Sequence, residues 1–172
     1  MPNWCSNSIR VSPKGYNLAI SYSFMLALMS YYPFFTLSAV KGKAPNDTDS
    51  YDWNVKNYGT KWDIDPVAWK IEIDDVDYWY TLWVTFDTAW SPATPVVEQL
   101  SIEYPQLVFT HAYCEMGMDY LGVDQWQAGE KTVIEDSAPS EYDWDDEDPY
   151  SMPETPSDLA EFLEANRIHL GG

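Results

Sequence analysis

Basic residues are scarce in this 172-residue chain. Nine Lys and Arg stand against 28 Asp and Glu, for a net charge of -19 and a pI near 4.1. A chain so charged is repelled by nucleic acid and by anionic membrane. That argues against direct nucleic-acid binding and makes a basic protein the natural electrostatic partner. Cysteine is sparse too. Cys5 and Cys114 provide no disulfide framework, so free thiols in a reducing cytoplasm are expected. The chain has no unbroken apolar run of membrane-spanning length. Its most apolar stretch, Leu18 to Leu37, is interrupted by Ser21, Ser23, Ser30, Tyr31, Tyr32 and Pro33 and reads as a core helix. "MPNWCSNSIR" lacks the charged region and apolar stretch of a signal peptide, and no internal repeat is visible.

Aromatic surface, by contrast, is plentiful. Nine Trp and thirteen Tyr within a 45% hydrophobic composition are too much apolar surface for a disordered chain, and the length suits one domain with an appendage. Acid is distributed unevenly. Residues 1 to 46 hold four bases and no acid, whereas the remainder carries -23. Residues 135 to 172 contain twelve acids and one base, Arg167.

Several stretches have readable periodicity. Ser6 to Pro13 has the alternation of a short strand, and Leu18 to Tyr32 that of a helix covered on more than one side. In "YWYTLWVTF", Tyr80, Leu82, Val84 and Phe86 fall on one face, with Trp79, Thr81, Trp83 and Thr85 on the other. Ser91 is placed as an N-cap with Pro92 behind it, ahead of a helix ending at Pro105. "QLVFTHAYCE" reads as a further strand, and the strand-helix-strand order predicts a crossover between parallel strands. One or two more strands are expected to turn near Gly117, Gly122 and Gly129. Trp53 to Asp65 reads as an ordered aromatic loop. These readings divide the chain into a domain over 1–134, an acidic Pro/Ser-containing linker over 135–156 and a short helix over 157–170.

Three stretches, "MPNWCSNSIRV", "NYGTKWD" and "FDTAWSPATPVVEQLSIEYPQLVFTHAYCEMGMDYLG", resemble the YubB-like proteins of phages, prophages and plasmids. The resemblance implies an α+β fold: a ferredoxin-like sheet with helices packed on one face, here followed by an acidic C-terminal segment that ends in a short helix. It also implies a mobile-element origin and a cytoplasmic location. It carries no catalytic or binding residue across.

Catalytic and metal sites are hard to assemble from this sequence. Asp87 stands near Trp90 without a paired base, and it is expected, with Thr88, to satisfy backbone donors at a strand-to-helix corner. His111 and Cys114 should point to opposite faces of their strand, and zinc needs three or four convergent ligands. Asp75 and Asp77, like Asp143, Asp145 and Glu147, lack the glycine and terminal Glu of a calcium loop and read as solvated acid. In "NYGTKWD", Lys61 and Asp63 are expected to pair at the surface.

"EYDWDDEDPY" is the exception, with six acids in ten positions and aromatic residues threaded between them. Carboxylates in such density can imitate nucleic-acid phosphates, and interleaved Tyr and Trp are typical interface anchors. The leading expectation is therefore a non-enzymatic protein without cofactor or metal. It would bind a basic host protein that handles nucleic acid, through Asp143, Trp144, Asp145, Asp146, Glu147 and Asp148. One alternative is a small-molecule or nucleotide-binding module using Tyr58, Lys61, Trp62 and Trp90. Another is a structural or assembly protein with a solubilising acidic tail.

Overall fold

The computed structural model describes residues 3–14, 18–45, 50–74, 79–142 and 156–169. Six strands form one sheet: β1 (Trp4–Pro13), β2 (Lys70–Asp74), β3 (Trp79–Ala89), β4 (Leu107–Glu115), β5 (Tyr120–Gln127) and β6 (Glu130–Ser137). The helices are α1 (Leu18–Tyr31), α2 (Leu37–Lys41), α3 (Ser50–Tyr58), α4 (Thr94–Glu103) and α5 (Ser157–Ala165).

The spatial order is β2-β3-β1-β4-β5-β6, with every neighbouring pair antiparallel. β3 and β4 both run against β1, so they are parallel to each other with β1 between them. That is the split strand-helix-strand arrangement of a ferredoxin-like α+β fold, extended by the β5-β6 hairpin. The crossover expected from the sequence is present, but its two strands are not neighbours.

Alternation divides the sheet into two faces. Ile9, Val11, Leu82, Val84, Phe86, Phe109 and Trp126 point to one side and pack with Met25, Leu28, Leu37, Val96, Val97 and Leu100 from α1, α2 and α4. The opposite face holds a smaller core, where Ala112, Cys114, Leu121 and Val123 meet Leu159, Leu163 and Ile168. The terminal helix thus packs back on the sheet. A fully buried leucine contributes about 1.5–3 kcal/mol, so Leu159 alone is a substantial tether.

Local expectations fail where tertiary bonds override them. Ser91 does not cap α4: its hydroxyl donates to the Gly59 carbonyl, and the helix begins at Thr94. The Ala93 N–H at that boundary donates to Asn7 Oδ1 on β1. The Trp53–Asp65 stretch opens as α3, with Tyr58 buried against the core. Gly122 lies inside β5 and not at a turn. The ring of Tyr113 crosses over it, and a Cβ there would sit 2.6 Å from the Tyr113 hydroxyl. Strand β6 continues to Ser137, past the boundary expected at residue 134. Asp75 and Asp77, read as solvated acid, lie outside the described residues, just past the end of β2.

Candidate functional site: a split between two strands

β2 pairs with β3 only from Lys70–Trp83 to Asp74–Trp79. Beyond that, the chain before β2 peels away. Val67 exchanges both main-chain hydrogen bonds with Phe35, at 2.8 and 3.0 Å, and Trp69 Nε1 donates to the Tyr32 carbonyl. Pro66 reinforces the departure, because it has no N–H to give a ladder. A groove is left between residues 62–68 and the second half of β3.

The wide end of the groove is a cleft of about 410 Å³ lined by Trp4, Trp62, Asp63, Asp65, Phe86 and Asp87, among others. Trp4 and Trp62 stand edge to face with centroids 6.5 Å apart, and each is roughly two-fifths exposed. Side by side, the two rings make contiguous exposed apolar surface, which is a mark of interaction sites. Asp63 Oδ1 accepts from the N–H groups of Leu37, Ser38 and Ile64, which fixes it at the start of α2. Asp87 Oδ1 accepts from the Ser6 hydroxyl at 2.8 Å.

The other end is smaller, about 220 Å³, and of opposite charge, with Lys70, Arg167 and His169 beside Trp83. Lys70 and Arg10 flank Trp83 as its register partners on either side. The Arg167 guanidinium lies 4.1 Å from the Trp83 ring centroid and forms a two-pronged ion pair with Glu72. That hydrogen bonding holds the Glu72 carboxyl below the usual carboxylate range. The chain after α5 thereby straps the second face of the sheet.

The residues anticipated from the sequence are not brought together in this groove. Tyr58 is buried and donates to the Gly42 carbonyl. Lys61 does not pair with Asp63. Its ammonium sits 4.7 Å from the Trp90 ring centroid and 5.9 Å from that of Tyr51, a cation-π stack, while Asp63 is engaged at α2. Only Trp62 of the four lines the groove. Trp90 has a left-handed φ of 73°, held by its N–H to the Asn3 carbonyl and by the Tyr120 hydroxyl donating to its own carbonyl. Thr88 donates to the Ser91 carbonyl and accepts from Asn7, and Asp87 is bonded to a side chain, so neither serves a backbone donor as expected. The anticipated partner-binding residues Asp143, Trp144, Asp145, Asp146, Glu147 and Asp148 lie outside the described residues.

His111 and Cys114 face opposite sides of β4. His111 is fully buried beside Asn7, and Cys114 is in the second core. Burial pushes both thiols, Cys5 and Cys114, up to about 12, so neither is poised as a thiolate nucleophile, and both are free. Among the described residues no group of His, Cys, Asp and Glu is arranged to hold a metal. No helix among them is long and apolar enough to cross a membrane.

Trp4, Asp65, Trp83 and Arg167 were not singled out by sequence reading. They are far apart in the chain, and the one available signal was the clustering of exposed-type acids with Trp in "KWDID".

Residues 68–151, a little under half of the chain, match the family described as the ferredoxin-like domain in Api92-like protein. Among solved structures, the protein api92 from Yersinia pseudotuberculosis is similar at 18% identity with a TM-score of 0.38. The match covers 54% of this chain and 31% of that one. That likeness is too distant to bear on function. No curated protein matches the chain.

Proposed function

We propose that the protein is a non-enzymatic binding module that captures a basic protein partner. It would seat a lysine or arginine side chain of that partner between Trp4 and Trp62, within reach of Asp63, Asp65 and Asp87. One observation carries this reading: two exposed indoles and three carboxylates converge on a single cleft that no cation among the described residues lines. Indole faces attract cations through the ring quadrupole, and carboxylates add direct attraction.

Whole-molecule charge supports the same partner. After Lys70 the only bases are Lys131 and Arg167, and both are paired, with Asp124 and Glu72. Among the described residues no other acid of the C-terminal half has an ion pair, and a field of that sign steers a basic protein toward the chain. The acidic run at 143–148 would widen this surface. The resemblance to YubB-like proteins favours a phage or plasmid origin and a host target that handles nucleic acid, such as a restriction or CRISPR component.

The test is capture from bacterial lysate by the intact chain, by Trp62→Ala and by Asp65→Asn with Asp87→Asn, at low and at ~0.5 M salt, where the screening length shrinks severalfold. A basic protein held by the intact chain, weakened at least ~tenfold by each variant and released by salt, is the expected result. Equal capture by all three chains would refute the cleft as the binding surface. Truncation at Ile134 is not a suitable control, because it cuts β6 and removes α5.

A further inference from the structure

The groove has a feature that side-chain chemistry alone does not use. Along the second half of β3, residues Val84–Thr88 pair with β1 on one side and with no strand on the other. Among the described residues, no hydrogen bond from outside β1 reaches their main chain. In an antiparallel strand alternate residues turn both N–H and C=O to the same side, so two or three residues of this stretch present a donor and an acceptor to the groove. The opposite wall cannot satisfy them, because Val67 spends both of its main-chain groups on Phe35 and Pro66 has no N–H.

We propose that the partner enters this split as an extended segment, adding a strand to the free edge of β3 between it and residues 62–68. This deepens the basic-partner reading and rests on it for the chemistry of the occupant. Strand addition takes affinity from main-chain hydrogen bonds and specificity from alternate side chains. Here the two ends of the groove differ in charge. A cationic side chain is drawn to Trp4, Trp62, Asp65 and Asp87. At the other end Lys70, register partner of Trp83 and without an ion pair among the described residues, attracts a carboxylate, while Arg167 is held by Glu72. Opposite charges at the two ends give the incoming strand a preferred direction and register, which a uniformly acidic edge would not.

A displayed library of random peptides, selected on the intact chain, supplies the probe. Enriched peptides are expected to carry lysine or arginine. N-methylation at alternate positions should weaken each at least ~tenfold while methylation of the positions between has little effect. Asp65→Asn with Asp87→Asn should weaken them as well. Peptides that lose affinity to the aspartate variant yet tolerate N-methylation everywhere would overturn strand addition and leave the basic-partner reading standing. Peptides that obey the N-methyl alternation but lack basic residues and ignore the aspartate variant would retain strand addition and overturn the basic partner. A selection that enriches nothing overturns both.

Discussion

His111 illustrates how a single buried residue ties the sheet to its helix layer. Asn7 donates to the Cys5 carbonyl and to Thr88 Oγ1, each at 2.8 Å, so its Oδ1 is an acceptor only. It receives the Ala93 N–H at 3.1 Å and faces His111 Nε2 at 3.0 Å. Nε2 therefore carries the proton, and the ring is neutral with an unpartnered Nδ1. Burial, helped by the nearby Lys131 ammonium, lowers the His111 pKa from 6.5 to about 3. Between those values the unfolded chain binds a proton that the folded chain refuses. Stability is therefore complete above about pH 6.5 and is lost as the pH falls toward 3, by up to ~1.4 kcal/mol per unit. His111→Gln, which keeps a donor toward Asn7, should show a shallower decline in urea-unfolding stability across that window. An unchanged slope would mean that His111 is not the group responsible.

At the level of elements, α5 is the least expected partner of the sheet. Its sequence shows an apolar stripe, but only docking reveals that the stripe covers Ala112, Cys114, Leu121 and Val123. Leu159→Ala should cost about 2–5 kcal/mol by denaturant unfolding, since the side chain is fully buried. A cost below ~0.5 kcal/mol, the range of ordinary surface substitutions, would show that the helix is not docked in solution. Strands β1, β3 and β4 were legible because their alternation is clean, with Ile9, Val11, Leu82, Val84, Phe86, Leu107 and Phe109 all facing the main core. β2 was hidden by its acids: "KIEID" alternates, but Ile71 and Ile73 are exposed, so its pattern reflects an edge strand with no buried face to mark it. The start of α4 was misplaced because Asn7, remote in sequence, supplies the bond that a local cap would otherwise provide.

For the molecule as a whole, the charge of -19 is a standing cost to compactness as well as a lure for cations. Among the described residues it is relieved by just two ion pairs. Raising salt from ~0.02 to ~0.5 M screens this self-repulsion and is expected to raise the melting temperature by several degrees. A flat or falling trend would mean that specific pairs, Arg167-Glu72 above all, outweigh the diffuse repulsion. The same salt weakens the proposed partner binding, so the two trends should run in opposite directions.

The α+β class was implied by the family resemblance, while composition and periodicity were enough to determine an acidic folded chain, its main strands and the helix before β4. These properties are local or additive: alternation needs only neighbouring residues, and net charge is a sum. The groove was decided by tertiary structure alone. It exists because Val67 bonds to Phe35 and leaves β3, and because Trp4, Trp62, Asp65 and Asp87 converge from separate elements. No sequence window contains that convergence, since pairing partners and the edge they leave open are set by the competition among strands for main-chain hydrogen bonds.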